Sequence, residues 1–325
     1  MSDLLKNIDA RTKLAGTNKL EILLFSLGTD VRTGRQETFG INVFKVREVM
    51  RTPPITAAPE MPAAVEGMVS LRGALVPVVD LARYARVDTQ APRSIMIVTE
   101  YAGHTQGFLV AAVDTILRLD WSQMRVPPAM LLAELGGLVT AVTELPDGRL
   151  VMLMDVEKIL SETTRYDDEI VYRNIKPLDN PELTVFFADD SAVARKQIER
   201  TLDAMGVKYV AAINGREAWN ELEKVAASAQ TAGQKVSELI SLVLTDIEMP
   251  EMDGYILTRK IKSDPRFAGV PVIMHSSLSG MSNQQLGKSV GVDEYVPKFE
   301  PQRLSETLTR RLLGDLPAAQ LSAYS

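Results

Sequence analysis

The chain has no cysteine. Disulfides, thiolate-bound zinc and thiol catalysis are therefore excluded, and the composition agrees with a reducing compartment. Histidine is nearly absent too, with His104 and His275 the whole supply. His275 lies within the apolar run VPVIMHSS and reads as a core residue, whereas His104, in YAGHTQG, reads as a turn residue. No apolar run approaches the ~20 residues that span a bilayer. The opening MSDLLKNIDARTKL lacks the apolar centre of a signal peptide. The expected location is cytoplasmic, with any membrane association indirect. A basic excess is also missing. Up to Arg165 there are 18 Lys+Arg against 19 Asp+Glu, and beyond it 18 against 23. Nucleic acid is therefore not an expected partner. Neither a fixed-period repeat nor a low-complexity tract is present.

What remains is a chain of 325 residues, 46% hydrophobic and 24% charged, with net charge −6. That is enough for two soluble globular domains. Residues 1–17 form an N-terminal segment. Residues 18–165 carry short apolar runs broken by Gly and Pro, such as KLEILLFSLG, AVEGMVSLRGALVPVVDLA, SIMIVTE and RLVMLMD. This texture predicts an all-β domain of antiparallel strands. A few helices are expected between them, notably NVFKVREVM and the closing DVEKILSET. Gly67, Gly73 and LRGAL suggest a tight hairpin turn. Residues 166–182, YDDEIVYRNIKPLDNPE, are polar with two prolines and read as a linker whose apolar residues could dock.

From residue 183 the rhythm changes. LTVFFA, VKYVAAI, ISLVLTD, VPVIMHSS and DEYVP read as strands, each followed by a segment of helical periodicity. The fold class expected for 183–315 is α/β, a five-stranded parallel sheet covered on both faces; 316–325 is a tail. The segment AASAQTAGQKVSELIS is expected to be an extended loop, and NQQLGKSV a helix.

In open parallel sheets, ligands bind beyond the carboxyl ends of the strands. Asp189 and Asp190 follow the first strand of this part, Asp246 the third, Ser276 and Ser277 the fourth, and Lys298 the fifth. A single aspartate there is ordinarily a helix cap, and a single lysine a solvated residue. The set in order is different. Three carboxylates in one concavity tolerate each other best around a hard divalent cation, and Mg2+ suits oxygen donors. A phosphoryl group arriving there would meet the metal, the Lys298 ammonium and a serine hydroxyl. Asp246, a carboxylate, needs no base to attack phosphorus. The turn MPEMDG could aim a backbone carbonyl at the metal.

This part resembles the response-regulator receiver domain. The resemblance implies that Asp246 is the phospho-acceptor and that Asp189 and Asp190 organise Mg2+ with the Glu248 carbonyl. It makes Ser276 the switch hydroxyl, Lys298 the pocket lysine and Tyr295 the aromatic switch. Ser277 stands where many receivers carry alanine. The first part, through KVREV, AVEGMVSLRGALVPVVDL and LVMLMDVEKIL, resembles the CheW coupling domain, a pair of small β-barrels without chemistry of its own. That resemblance implies partner binding at Arg72, with Glu48 as a possible ion-pair neighbour. Val46, Val49 and Met68 are candidates for an apolar contact patch, although core packing is expected to claim at least half of them. The combined layout is that of the CheV-type coupling proteins.

Since the chain shows neither a phosphohistidine helix nor a Gly-rich nucleotide loop, the phosphoryl group is expected from a CheA-type histidine kinase or a small acyl phosphate. The short stretch after the last helix leaves the first part as the expected reader. The implied function is a non-enzymatic scaffold between chemoreceptor tips and that kinase, with self-phosphorylation and autodephosphorylation its only chemistry. Two alternatives stay open. One is a phosphate sink draining the kinase. The other is a phosphatase using the same pocket, disfavoured because DDS lacks DxD spacing and no substrate cap is evident.

Overall fold

The computed structural model describes residues 19–314 except 58, 102–103, 135, 164–167, 179, 181 and 278–286. The chain divides into two compact units, with the break at Arg165/Tyr166. Among the described residues, no helix is long and apolar enough to cross a membrane.

The first unit comprises β1 (Lys19–Ser26), β2 (Thr38–Asn42), β3 (Val46–Arg51), β4 (Val65–Leu71), β5 (Ala74–Asp80), α1 (Leu81–Tyr84), β6 (Ile95–Tyr101), β7 (His104–Val110), β8 (Ala112–Asp120), α2 (Ala129–Glu134), β9 (Val139–Glu144), β10 (Leu150–Met154) and α3 (Val156–Thr163). The strands form two five-stranded sheets, ordered β8-β1-β2-β10-β9 and β3-β6-β7-β5-β4. Each apolar run serves two cores at once. On β1, Leu20, Ile22 and Leu24 pack with Trp121 and Val151 in one cluster, while Leu23 and Phe25 join a larger one with Phe108 and Ile159. On β6, Met96 and Val98 pack with Val76 and Val78, while Ile97 joins the large cluster. Side chains alternate between the two faces of a strand, so a strand buried on both faces reads as an unbroken apolar run.

One expected helix is absent. Within NVFKVREVM, Asn42 caps a single 3-10 turn, Val43–Lys45, and Val46–Arg51 is strand. The pairing of β3 with β6 slips between Val46 and Glu48. This bulge sets Val46 and Val49 against the same large cluster. Its extra residue produces three-residue apolar spacing in a strand, which imitates a helix. The other expected helix, in DVEKILSET, is α3.

The second unit comprises α4 (Asp168–Asn174), β11 (Thr184–Ala188), α5 (Ala192–Met205), β12 (Lys208–Ala212), α6 (Gly215–Ala232), α7 (Val236–Leu239), β13 (Leu242–Thr245), α8 (Gly254–Ser263), β14 (Val272–Ser276), β15 (Glu294–Pro297) and α9 (Pro301–Leu313). Its sheet has the order β12-β11-β13-β14-β15, with every pairing parallel. This is the flavodoxin-like arrangement. Phe186 and Ala188 face a cluster with Trp219, Leu222, Leu257 and Ile261; Val185 and Phe187 face another with Ile198, Leu202, Leu304 and Leu308. Helices therefore cover both faces. The helix expected in NQQLGKSV falls mostly outside the described residues, and residues 287–290 are helical.

Two connecting segments differ from expectation. The expected loop AASAQTAGQKVSELIS instead continues α6 to Ala232 and adds α7. Ala226 and Ala229 extend the buried stripe of Leu222, and Gly233, at φ 69°, ends the helix in the left-handed conformation. The expected linker contains α4, which is docked. Tyr172 and Leu178 are buried, and Ile175 and Leu178 pack with Leu202, Met205 and Leu308. The Leu178 N–H donates to the Met205 carbonyl at 2.8 Å, and the Arg200 guanidinium lies 4.0 Å from the Tyr172 ring centre.

Candidate functional site: an acidic pocket at the ends of parallel strands

Parallel pairing puts the carboxyl ends of β11, β13, β14 and β15 along one edge, and Asp189, Asp246, Ser276 and Lys298 all lie at that edge. The Asp246 N–H donates to the Ala188 carbonyl at 2.8 Å, and the Asp189 N–H to the Ala212 carbonyl at 3.2 Å. These bonds extend the sheet ladder by one residue into the site. Lys298, 2% exposed, places Nζ 2.8 Å from Asp189 Oδ2 and 3.1 Å from Asp246 Oδ2. Asp246 Oδ1 accepts from the Ile247 N–H at 2.7 Å, and Asp189 Oδ1 from the Ser191 N–H at 2.9 Å. Asp190 is half-buried, and one oxygen from each of the three acids lies within 4.8 Å of the others.

The turn after Asp246 is fixed by close packing. A Cβ on Gly254 would sit 1.9 Å from the Asp246 carbonyl oxygen, so only glycine lets α8 start here. Asp253 caps α8 by accepting from the Ile256 N–H at 2.7 Å. Glu248 lies in this turn and is buried, as are Ser276 and Ser277. Tyr295 is half-buried on β15, paired in register with Met274. Its hydroxyl accepts from the Tyr255 hydroxyl and the Gly287 N–H, while burial raises the pKa of both tyrosines. His275 is buried in β14, in keeping with the core reading. His104 is not a turn residue but the first residue of β7, and burial lowers its pKa.

Two neighbours of the pocket escaped the sequence reading. Arg195 donates from Nη1 to the carbonyls of Asp189, at 2.8 Å, and Asp190, at 2.9 Å. Tyr255 is 1% exposed and bonded to Tyr295. A signal existed for Arg195, since a cation in the first turn of a helix opposes the helix dipole. Tyr255 gave none, because its partner is distant in sequence.

In the first unit, Arg72 and Gly73 form the two-residue turn between β4 and β5, with φ of 50° and 84°. Positive φ at both positions is the hairpin geometry that matches strand twist. Gly67 is not in this turn but at a bulge in β4. Arg72 Nη2 lies 2.9 Å from Glu48 Oε2, and the arginine side chain remains 68% exposed. Leu75, just past the turn, is 71% exposed. Val46 is a core residue at 6% exposure and offers no contact surface; Val49 is partly buried against the same core, and Met68 is partly buried. The bulge that turns Val46 inward is the reason.

These features define a two-sheet β unit, followed in the chain by a flavodoxin-like unit with three acids and a lysine at its strand ends. The CheW-like domain model matches residues 21–164, and the response regulator receiver domain model matches 185–309. The chemotaxis protein CheV1 of Helicobacter pylori is 26% identical over 96% of this chain and 99% of its own length. Chemotaxis protein CheY1 of the same organism is 36% identical, over 39% of this chain and 94% of its own length. Chemotaxis protein CheW of Klebsiella aerogenes is 30% identical, over 46% of this chain and 87% of its own length. The chain belongs to the CheW-like family in its first unit and to the receiver family in its second, the domain pairing of the CheV-type chemotaxis coupling proteins.

Proposed function

We propose that this protein couples chemoreceptor tips to a CheA-type histidine kinase through its first unit, and that phosphorylation of Asp246 controls that coupling. The observation that carries the reading is Lys298, whose ammonium is shared by Asp189 and Asp246 while Asp190 completes the acidic cluster. Three carboxylates converging on one point form a hard oxygen donor set that fits Mg2+. Asp189, Asp190 and Asp246, with the Glu248 backbone carbonyl, would hold the ion, which when bound supplies positive charge to the phosphoryl oxygens. A carboxylate oxygen of Asp246 forms the new P–O bond. The donor's P–N or P–O bond breaks, and the leaving group departs with its electron pair. Lys298 holds Asp246 before the reaction and is placed to meet the new phosphoryl oxygens after it. Ser276 and Ser277, buried at the end of β14, are the hydroxyls assigned to donate to that group in this reading.

The aspartyl phosphate carries added negative charge and new acceptor oxygens, which bias an existing equilibrium rather than create a new state. Tyr295 is the side chain expected to respond. Arg72 is exposed enough to reach a partner, and its ion pair with Glu48 aims it. Association with receptor arrays at the membrane follows from these partners.

The test is mass analysis after incubation with Mg2+ and acetyl phosphate, or with a CheA-type kinase. One phosphoryl group is expected on the wild type and none on Asp246→Asn; label surviving in the variant removes Asp246 as acceptor. Arg72→Ala is expected to weaken co-sedimentation with receptor–kinase arrays without changing the stability of the first unit.

A further inference from the structure

We propose that Arg195 is a positioning residue for the divalent cation: its guanidinium clamps the backbone of the acidic pair so that both carboxylates face the ion. The inference rests on the receiver reading above and names a residue that the acid–lysine set leaves out.

Arg195 is the fourth residue of α5, one turn past the cap Ser191. The first turn of α5 contains no acid. A cation here faces the positive end of the helix dipole, so the helix itself disfavours it. It is half-buried nonetheless, and Nη1 gives one N–H to each of two successive carbonyls, Asp189 at 2.8 Å and Asp190 at 2.9 Å. A residue that breaks a local rule with well-formed contacts marks a site where position matters more than helix stability. The two carbonyls belong to the two acids that follow β11, in successive peptide units, so fixing both oxygens fixes the backbone of Asp190 and the peptide joining it to Asp189. That peptide sets the relative direction of the two side chains. Asp189 has further restraints, from the Ser191 N–H and from Lys298. Asp190 is the half-buried member of the three acids, and the clamp acts on its backbone.

Two effects of Arg195 on cation binding oppose each other. Its positive charge repels the ion, whereas its hydrogen bonds preorganise the ligands. The charge is half-exposed and screened by salt. The hydrogen bonds are short, come from a charged donor and belong to the stronger class. Residues that orient metal ligands from behind typically change affinity ~10–100-fold when removed. Preorganisation therefore wins, and removing the positive charge should weaken Mg2+ binding rather than strengthen it.

The experiment is titration calorimetry of the full chain with Mg2+ at physiological ionic strength, using wild type, Arg195→Ala and Arg195→Lys. Unfolding without Mg2+ is followed in parallel through Trp219 fluorescence. About tenfold weaker Mg2+ binding is expected for Arg195→Ala. Arg195→Lys, which keeps the charge and one flexible donor head, should recover part of the loss. Unchanged or tighter binding in Arg195→Ala would overturn the proposal, as would a fall in metal-free stability with affinity intact. If Arg195→Ala does not fold, Arg195→Lys decides: affinity equal to wild type refutes the clamp. A wild type that binds no Mg2+ also refutes it. A wild type that binds Mg2+, loses affinity in the variant, yet takes no phosphoryl group at Asp246 upholds the clamp and overturns the phosphorylation reading instead.

Discussion

The two units bury charge in opposite ways. In the first, buried acids are matched or used as caps. Lys45 meets Glu157 at 3.1 Å, and Arg93 meets Asp80 at 3.0 Å. Asp80 also accepts from the Ala82 and Arg83 N–H groups, and Asp155 from those of Glu157 and Lys158. The Lys45–Glu157 pair joins the 3-10 turn after β2 to α3, and Asp80 and Asp155 start α1 and α3. In the second unit, Asp189 and Asp246 share one lysine at the sheet edge, and Asp190 lies beside them. Matched charge holds a scaffold in shape. Surplus negative charge in one concavity leaves a site with an appetite for cations and for groups that bring them, at a cost in stability. Each unit contains one tryptophan, Trp121 and Trp219, so single-Trp variants can report the two separately.

The largest effect is expected from removing the shared cation. Lys298→Met leaves two buried carboxylates facing each other with no ammonium between them. Breaking a buried pair typically costs about 3–5 kcal/mol. Denaturant unfolding read through Trp219 should show that loss, with the Trp121 transition unmoved. Millimolar Mg2+ should restore part of it, because the ion binds the folded state. Lys45→Met, read through Trp121, should cost about 2 kcal/mol, since Lys45 is partly exposed. Mg2+ should restore none of it. Equal rescue of both variants would erase the contrast between the units.

A smaller effect with reversed sign comes from Asp190→Asn. Removing the surplus charge should stabilise the second unit by about 1 kcal/mol in Mg2+-free buffer, a modest Coulomb relief for a half-buried group. The same variant should lose the stabilisation that Mg2+ gives the wild type. Asp80→Asn is the counterpart. It removes a matched charge and should destabilise the first unit. A stabilising Asp80→Asn would mean that the first unit also carries unbalanced charge.

The contrast also separates what the sequence reveals from what it hides. Asp189, Asp246, Ser276 and Lys298 were legible because each stands directly after an apolar run, and parallel topology carries such positions to one edge. The Arg72 hairpin was legible because Arg-Gly between two apolar runs is a local signal. The helix expected in NVFKVREVM misled because a bulge changes the period of β3, and bulges leave no local mark here. The continuation of α6 was hidden because SAQTAGQ looks polar, although Ala226 and Ala229 keep its buried stripe. The Arg195 clamp reaches only five and six residues back, whereas the partners of the docked α4 and the Tyr255–Tyr295 bond lie far along the chain. Pairwise packing of that kind is set by the fold and is not written in any short window.

The smallest expected effect sharpens the comparison through pH. Burial lowers the His104 pKa, so the folded first unit binds that proton less readily than the unfolded chain does. Stability from this source is complete above the unfolded value of about 6.5. It declines as pH falls through that value and on through the lower folded one, because protons then favour the unfolded state. Melts read through Trp121 between pH 8 and pH 5 should show this decline in the wild type and a shallower one in His104→Gln. The Trp219 transition should be indifferent to the substitution. A Gln variant with the wild-type slope would remove His104 as the source of the decline.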